Sequence, residues 1–208
     1  MTWTLRPADA DQWPAIEDLF GRTGASDGCW CLYWRIGPAY GKRPRTENKA
    51  ALEAIVSTET PPGLLAFEGS KPVGWCQVTP RHKLPWLEHR FKGRSDPDIW
   101  AISCFYVRRG DRGRGVMSAL ISVSLKMAKE AGAVSIEAYP VDTTVPGSTR
   151  NIFTGTVDAF RRTGFSVVAG QGTARPVMVH DLADVVPVDH WPLLIEQGEG
   201  LYHQGGLR

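Results

Sequence analysis

Between Ile99 and Val107 the chain is almost unbroken in apolar residues. It then runs through Arg108-Arg109-Gly110-Asp111-Arg112-Gly113-Arg114-Gly115 into Val116-Met117. An apolar run of that kind reads as a strand buried on both faces. Beyond it, Leu120, Ile121, Val123, Leu125 and Met127 precede Gly132, which predicts a helix from Gly113 to about Ala131. A strand, a glycine turn and a helix in succession call for a layered α/β chain. The turn also has chemistry. The first N–H groups of a helix have no internal partner, and the helix dipole adds partial positive charge there. Glycines let an anion come close to that backbone, so the turn suits a pyrophosphate, and Arg108, Arg109, Arg112 and Arg114 supply charge for phosphates. It is not a P-loop, because no lysine follows the glycines, and Gly-x-Gly-x-x-Gly of the dinucleotide fold is absent.

The remaining segments fit the same class. Trp3 to Arg6 reads as a first strand, and Asp9 or Asp11 as the cap of a helix carrying Trp13, Ile16, Leu19 and Phe20. An aromatic stretch from Gly28 to Tyr40 follows, and then a second helix with Leu52, Ile55 and Val56. Leu64–Phe67 and Val73–Val78 flank Gly69 as a hairpin, and Pro80 to Pro97 reads as a long polar loop. Val134 to Ala138 is a strand, Thr154 to Thr163 a helix, and Phe165–Val168 and Val177–Val179 are the last strands of a domain over 1–184. The extension 185–208, with Trp191, Leu193, Leu194 and Ile195, is expected to form a short helix packed on the domain or on a second copy in a homodimer.

Composition narrows the function. The net charge of +2 over 208 residues is too small for a nucleic-acid stripe, and the arginine cluster is accounted for by phosphate. No apolar run approaches the roughly 20 residues that span a bilayer. The first residues lack the order of a signal peptide, so a cytoplasmic setting with reduced thiols is expected. Cys29-Trp30-Cys31 is too short for paired zinc ligands, and no second Cys/His pair follows at finger spacing, so no metal is expected.

Arg112, Gly113 and Gly115 resemble the acetyl-CoA motif Gln/Arg-x-x-Gly-x-Gly/Ala of the GCN5-related (GNAT) acetyltransferases, with Met117 where that family prefers Gly or Ala. Gly164-Phe165 is similar to the pair closing the family's fourth helix, and Ile136 to Pro140 falls where its fifth strand ends. The resemblance covers roughly Trp3 to Leu182. It implies an α/β, three-layer fold with a central mixed, mostly antiparallel sheet flanked by helices. It also implies acetyl-CoA as cosubstrate, with Phe105 and Val107 aligning the pantetheine and Arg112, Gly113, Arg114, Gly115, Val116 and Met117 holding the phosphates. The acceptor expected is the amine of a small molecule. A protein or peptide terminus, or a non-catalytic acyl-CoA-binding module, are the alternatives.

The catalytic residues depart from the family's pattern. Its tyrosine acid, four residues before the Gly-Phe pair, is replaced by Phe160, and its asparagine by Phe153. Tyr139 is the substitute candidate for the acid and Glu137 for the base. Asp142, Asp158, His82 and His89 are weaker candidates, and Cys29 or Cys31 could carry an acyl group. Trp30, Tyr33 and Trp34 either line an acceptor pocket or belong to the core.

Overall fold

The computed structural model describes residues 2–58, 60–92, 96, 98–148 and 152–196. Eight strands form one sheet: β1 (Thr2–Pro7), β2 (Gly63–Glu68), β3 (Lys71–Pro80), β4 (Ile99–Val107), β5 (Ser135–Ala138), β6 (Ser166–Ala169), β7 (Val177–Asp181) and β8 (Leu193–Glu196). Their order is β6-β7-β5-β4-β3-β2-β1-β8. Only β4 and β5 run parallel, joined by the helix α5 (Val116–Glu130), and the other pairs are antiparallel. The mixed, mostly antiparallel sheet flanked by helices is therefore present.

The alternation of side chains along each strand decides which helix lies on which face. Leu64 and Ala66 of β2, with Cys76 and Val78 of β3, face α5 and its buried Val116, Leu120 and Val123. Leu65, Phe67 and Trp75 face the other way, onto α1 (Trp13–Phe20) and α3 (Arg45–Val56) through Ile16, Phe20, Leu52 and Val56. Strand β4 breaks this parity. Gln77 pairs with Cys104 but Val78 pairs with Ile102, so Ser103 is an extra residue, a β-bulge. Ile102 and Phe105 consequently share the α5 face, while Cys104 and Tyr106 turn to the α1 side. The bulge is held from both sides, because Ser103 Oγ donates to Gln77 Oε1 at 2.8 Å and Gln77 Nε2 donates to the Cys31 carbonyl at 3.0 Å.

Several expectations need correction. The tail helix is instead β8, which pairs with β1 from Thr2↔Glu196 to Leu5↔Leu193, with Ile195 buried. Three apolar residues in a row suit an edge strand as well as a helical turn, so periodicity over so few positions could not separate them. The stretch after Pro80 is not all loop: a 3-10 turn at Arg81–Lys83 leads into α4 (Pro85–Arg90), whose Leu87, with Leu84, is fully buried. The last helix, α6 (Val157–Arg161), is shorter than expected and is capped by Thr156 Oγ1, which accepts from Ala159 N–H. Neither Asp9 nor Asp11 caps α1. Among the described residues no helix is long and apolar enough to cross a membrane.

Candidate active site

The parallel pairing of β4 with β5 stops at Ile102↔Ala138, so the last five residues of β4 have no partner on that side among the described residues. The chain of β5 instead turns away, and Val141 bridges to Thr156 ahead of α6. The two strands therefore splay, and the gap opens toward the first turn of α5.

A cavity of about 620 Å³ fills this gap. Its wall includes Phe105, Tyr106 and Val107 of β4, Arg112, Gly113, Gly115, and Val116, Met117 and Ser118 of α5. Gly113 and Gly115 have φ of 74° and 89°, a left-handed conformation strained for any residue with a side chain. A Cβ at either would meet no atom within 4 Å, so the space in front of the backbone is open. The first bond of α5 runs from Ala119 N–H to Gly115 O at 3.1 Å. The N–H groups of Val116, Met117 and Ser118 are thus left for an external acceptor. Arg112 and Arg162 add positive charge to the same wall. A diphosphate fits this donor set.

Seven of the eight residues expected to bind the cofactor line this cavity, and Arg114 is the exception. Its guanidinium bonds Glu68 Oε1 and Asp111 Oδ1, each at 2.5 Å, and lies 5.1 Å over the Trp3 ring. Arg108 is likewise taken, donating to the Pro72 carbonyl and to Asp18. Of the four arginines expected to serve phosphates, only Arg112 lines the cleft.

A second cavity, of about 370 Å³, lies on the α1 side of β4. Its floor is Cys104, Phe105 and Tyr106, and its walls carry Cys29, Cys31, Tyr33, Trp34, Tyr40 and Phe91, with Asp27, Arg90 and Arg175 also on the lining. Phe105, Tyr106 and Phe153 line both cavities, so the two meet at the unpaired end of β4. The wall before α2 (Tyr33–Ile36) is strained: Ala25, Asp27, Trp30 and Cys31 all have φ between 46° and 64°. Such residues cost roughly 1–2 kcal/mol each and persist only where the surroundings impose them. Here the surroundings are the buried Trp30 ring, the Gln77 bond to Cys31, and Asn48 Nδ2 donating to the Gly28 and Tyr40 carbonyls at 2.9 Å. Of the two alternatives for the aromatics, Trp30 is core, Trp34 is both buried in the core and on the cavity lining, and Tyr33 lines the cavity.

Two of the thiols in this cavity, Cys29 and Cys31, are held in the protonated form at neutral pH. Burial, helped by Cys104, pushes Cys29 from 9.0 up to about 11. The Cys31 thiol, 3.6 Å from that of Cys104, is raised by that hydrogen bond and by burial.

Tyr139 and Glu137 are brought together, but on neither cavity lining. The Tyr139 hydroxyl donates to Glu137 Oε2, and Arg81 Nε donates to both, at 2.9 Å to Glu137 and 3.1 Å to Tyr139. Arg81 also reaches Glu88 Oε1 at 3.3 Å and the Phe91 carbonyl. Arg81 and Tyr139 are fully buried, with Tyr139 against Phe91, Trp34 and Leu84. Burial first, then the Glu137 charge, raise the Tyr139 hydroxyl far above its ordinary value. The two expected acid–base candidates thus stand in a buried ion-pair cluster with Arg81, away from both cavity linings. Sequence reading missed Arg81, whose only signal was its place as the first of the basic run Arg81-His82-Lys83 after a largely apolar strand. Phe160 is core, packed on Phe165 and Phe105. His82 and His89 are exposed, as is Asp158, while Asp142 accepts from Thr144.

Residues 28–151 match the family described as acetyltransferase (GNAT) family, a span that includes Trp30 and Cys31 of the strained wall and the whole glycine turn. The chain belongs to the GNAT acetyltransferases. No curated protein matches it at the sequence level. Among solved structures, the PaiA N-acetyltransferase of Thermoplasma acidophilum in complex with coenzyme A is 15% identical, with 87% of this chain and 99% of that one covered and a TM-score of 0.51. The YncA protein of Salmonella typhimurium with its cofactor acetyl-CoA is 16% identical over 90% of this chain and 99% of that one, at a TM-score of 0.53. The GNAT domain of PAT from S. lividans is 16% identical over 86% and 89%, at 0.55. At these identities the likeness is one of fold. As in the family, this GNAT chain carries the splayed parallel pair beside a glycine turn; the tyrosine of the family's fourth helix is absent.

Proposed function

We propose that the chain is an acetyl-CoA-dependent N-acetyltransferase that passes the acetyl group directly to the amine of a small molecule. The observation that carries this reading is the meeting of the two cavities at Phe105, Tyr106 and Phe153. A diphosphate seated on the α5 N–H groups and Arg112 would run its pantetheine arm along the unpaired edge of β4, so that the thioester reaches the junction. Neighbours of the same fold with coenzyme A or acetyl-CoA bound support that donor. The pocket volume is near the lower end of the roughly 300–1,000 Å³ typical of small-ligand sites, which favours a small acceptor over a polypeptide.

In this reading the amine, desolvated among aromatic walls, attacks the thioester carbonyl carbon. Backbone N–H groups on the free edge of β4 stabilise the oxyanion. The carbon–sulfur bond then breaks, the thiolate takes a proton, and the amine loses one to water. Tyr106 is the proton donor best placed for the thiolate, because of the three shared lining residues it alone carries an ionisable group. An acyl-enzyme on Cys29 or Cys31 is disfavoured, since a protonated thiol is a poor nucleophile.

The test is acetyl-CoA-dependent release of free thiol against a panel of small amines. Tyr106→Phe should lower kcat by about a hundredfold while acetyl-CoA affinity is kept. An unchanged kcat removes Tyr106 from the mechanism, and no thiol release with any amine removes the transferase reading.

A further inference from the structure

Resting on that reading, we infer that the acceptor is an amine of amino-acid size that also carries a carboxylate, recognised by Arg175 and Arg90. The aromatic cavity has charges of both signs in separate places. Arg90 comes from the end of α4 and Arg175 from the turn before β7, while Asp27 comes from the strained wall. Neither arginine lines the α5 cleft, where Arg112 and Arg162 already supply cationic charge, so they are not needed for the phosphates of the donor. Arg175 is half-buried, donates to Thr154 Oγ1 at 2.9 Å, and sits close enough to Tyr33 to be influenced by it. Burial lowers its guanidinium below the ordinary value, the mark of a cation partly stripped of water. A guanidinium fork matches the two oxygens of a carboxylate, and partial desolvation makes that pairing stronger.

Asp27 suits the other end of such a molecule. Its carboxylate can accept from an ammonium as it enters, and Tyr33, Tyr40 and Trp34 on the lining supply aromatic surface for a cation or an apolar side chain. Two cations and one anion on the lining fit a zwitterion with a net acidic end better than a simple amine, whose single positive charge would face two arginines.

The experiment pairs each of the common α-amino acids with its decarboxylated amine. Binding to the protein in the presence of coenzyme A is followed by calorimetry, and acetylation by thiol release. Carboxylate-bearing members should win by about tenfold or more in affinity and in kcat/KM, the strength of one charge-assisted contact. Arg175→Gln should remove that advantage by raising KM more for each carboxylate-bearing member than for its decarboxylated partner. Unaltered acetyl-CoA affinity in the variant shows that its fold is kept, and Arg90→Gln, on an exposed side chain, repeats the test where folding is not at stake. Equal or better binding of the decarboxylated amines, no binding of any carboxylate-bearing member, or an equal loss for both classes in the variants overturns the inference. Turnover of simple amines with no carboxylate preference would sink this inference alone, whereas carboxylate-selective binding without any turnover would support it and sink the transferase reading.

Discussion

Arg81 shows how a single side chain can be decisive and yet unreadable from sequence. Its guanidinium is 2% exposed and its partner Glu137 9%, so each charge relies on the other. Removing one member of a buried pair leaves the other uncompensated, and Arg81→Gln should therefore cost about 3–5 kcal/mol of unfolding free energy in urea titrations. Tyr139→Phe removes a hydroxyl bonded to both charges of the same cluster and should cost about 1.5–3 kcal/mol. It should leave the turnover rate unchanged, because Tyr139 is on neither cavity. A large loss of turnover with the fold intact would return Tyr139 to the active site. The surroundings of Tyr139 and Glu137 were not legible for a physical reason: they are at the end of β5 where a cleft was expected, but sequence does not say toward which neighbour a strand-end side chain turns. The glycine turn was legible because Gly113 and Gly115 are required by backbone conformation, which composition records directly. The arginines around it were not, since Arg114 is claimed by Glu68 and Arg108 by Asp18, both from distant segments, with Asp111 of the turn itself also on Arg114.

At the scale of elements, the placing of α5 on β3 sets the cleft. Gly74 has no side chain because the Cβ it would carry lies 2.6 Å from Val116 Cγ1 and 3.2 Å from Leu120 Cδ1. Val116 is the first residue of α5 and is stiff at χ1, so it cannot simply swing aside. Gly74→Ala should therefore destabilise by about 1–3 kcal/mol, more than the roughly 0.4–1 kcal/mol gained from a stiffer unfolded chain. It should also weaken acetyl-CoA binding, because the displaced residue is the one whose N–H faces the diphosphate. Adding Val116→Ala should recover most of both losses; a double variant no better than the single one would show that the contact does not position the helix. Strand and helix order from β1 to β7 could be read because apolar periodicity and glycine stops are local signals. The β8 strand and α4 could not, since four or six residues carry too few periods, and the bulge at Ser103 is visible only from the register with β3.

Across the whole molecule, the buried thiols tie stability to alkaline pH. Cys29, Cys31 and Cys76 all have folded-state pKa values above the ordinary 9.0. Above pH 9.0 the unfolded thiols lose their protons while the folded ones keep them, so stability is full below that pH and falls as pH rises. For Cys29 the loss extends to about pH 11, at up to about 1.4 kcal/mol per pH unit. Urea unfolding in reductant should show a midpoint that declines between about pH 9 and about pH 11, and Cys29→Ser should flatten part of that slope. A midpoint independent of pH over that range would mean the thiols are not held as described. In the proposed reading the same burial keeps these thiols from acting as nucleophiles, with one cavity serving the donor and the other the acceptor.

The central claim, that the α5 cleft takes acetyl-CoA, is tested most directly by calorimetric titration of the folded protein with acetyl-CoA, with ATP and NADH for comparison. The account predicts saturable binding of acetyl-CoA at one site per chain, displaced by coenzyme A, unmatched by ATP or NADH, and lost in Gly115→Glu. Folded protein that takes up no acetyl-CoA, or a Gly115→Glu variant that binds it as the parent does, would contradict it.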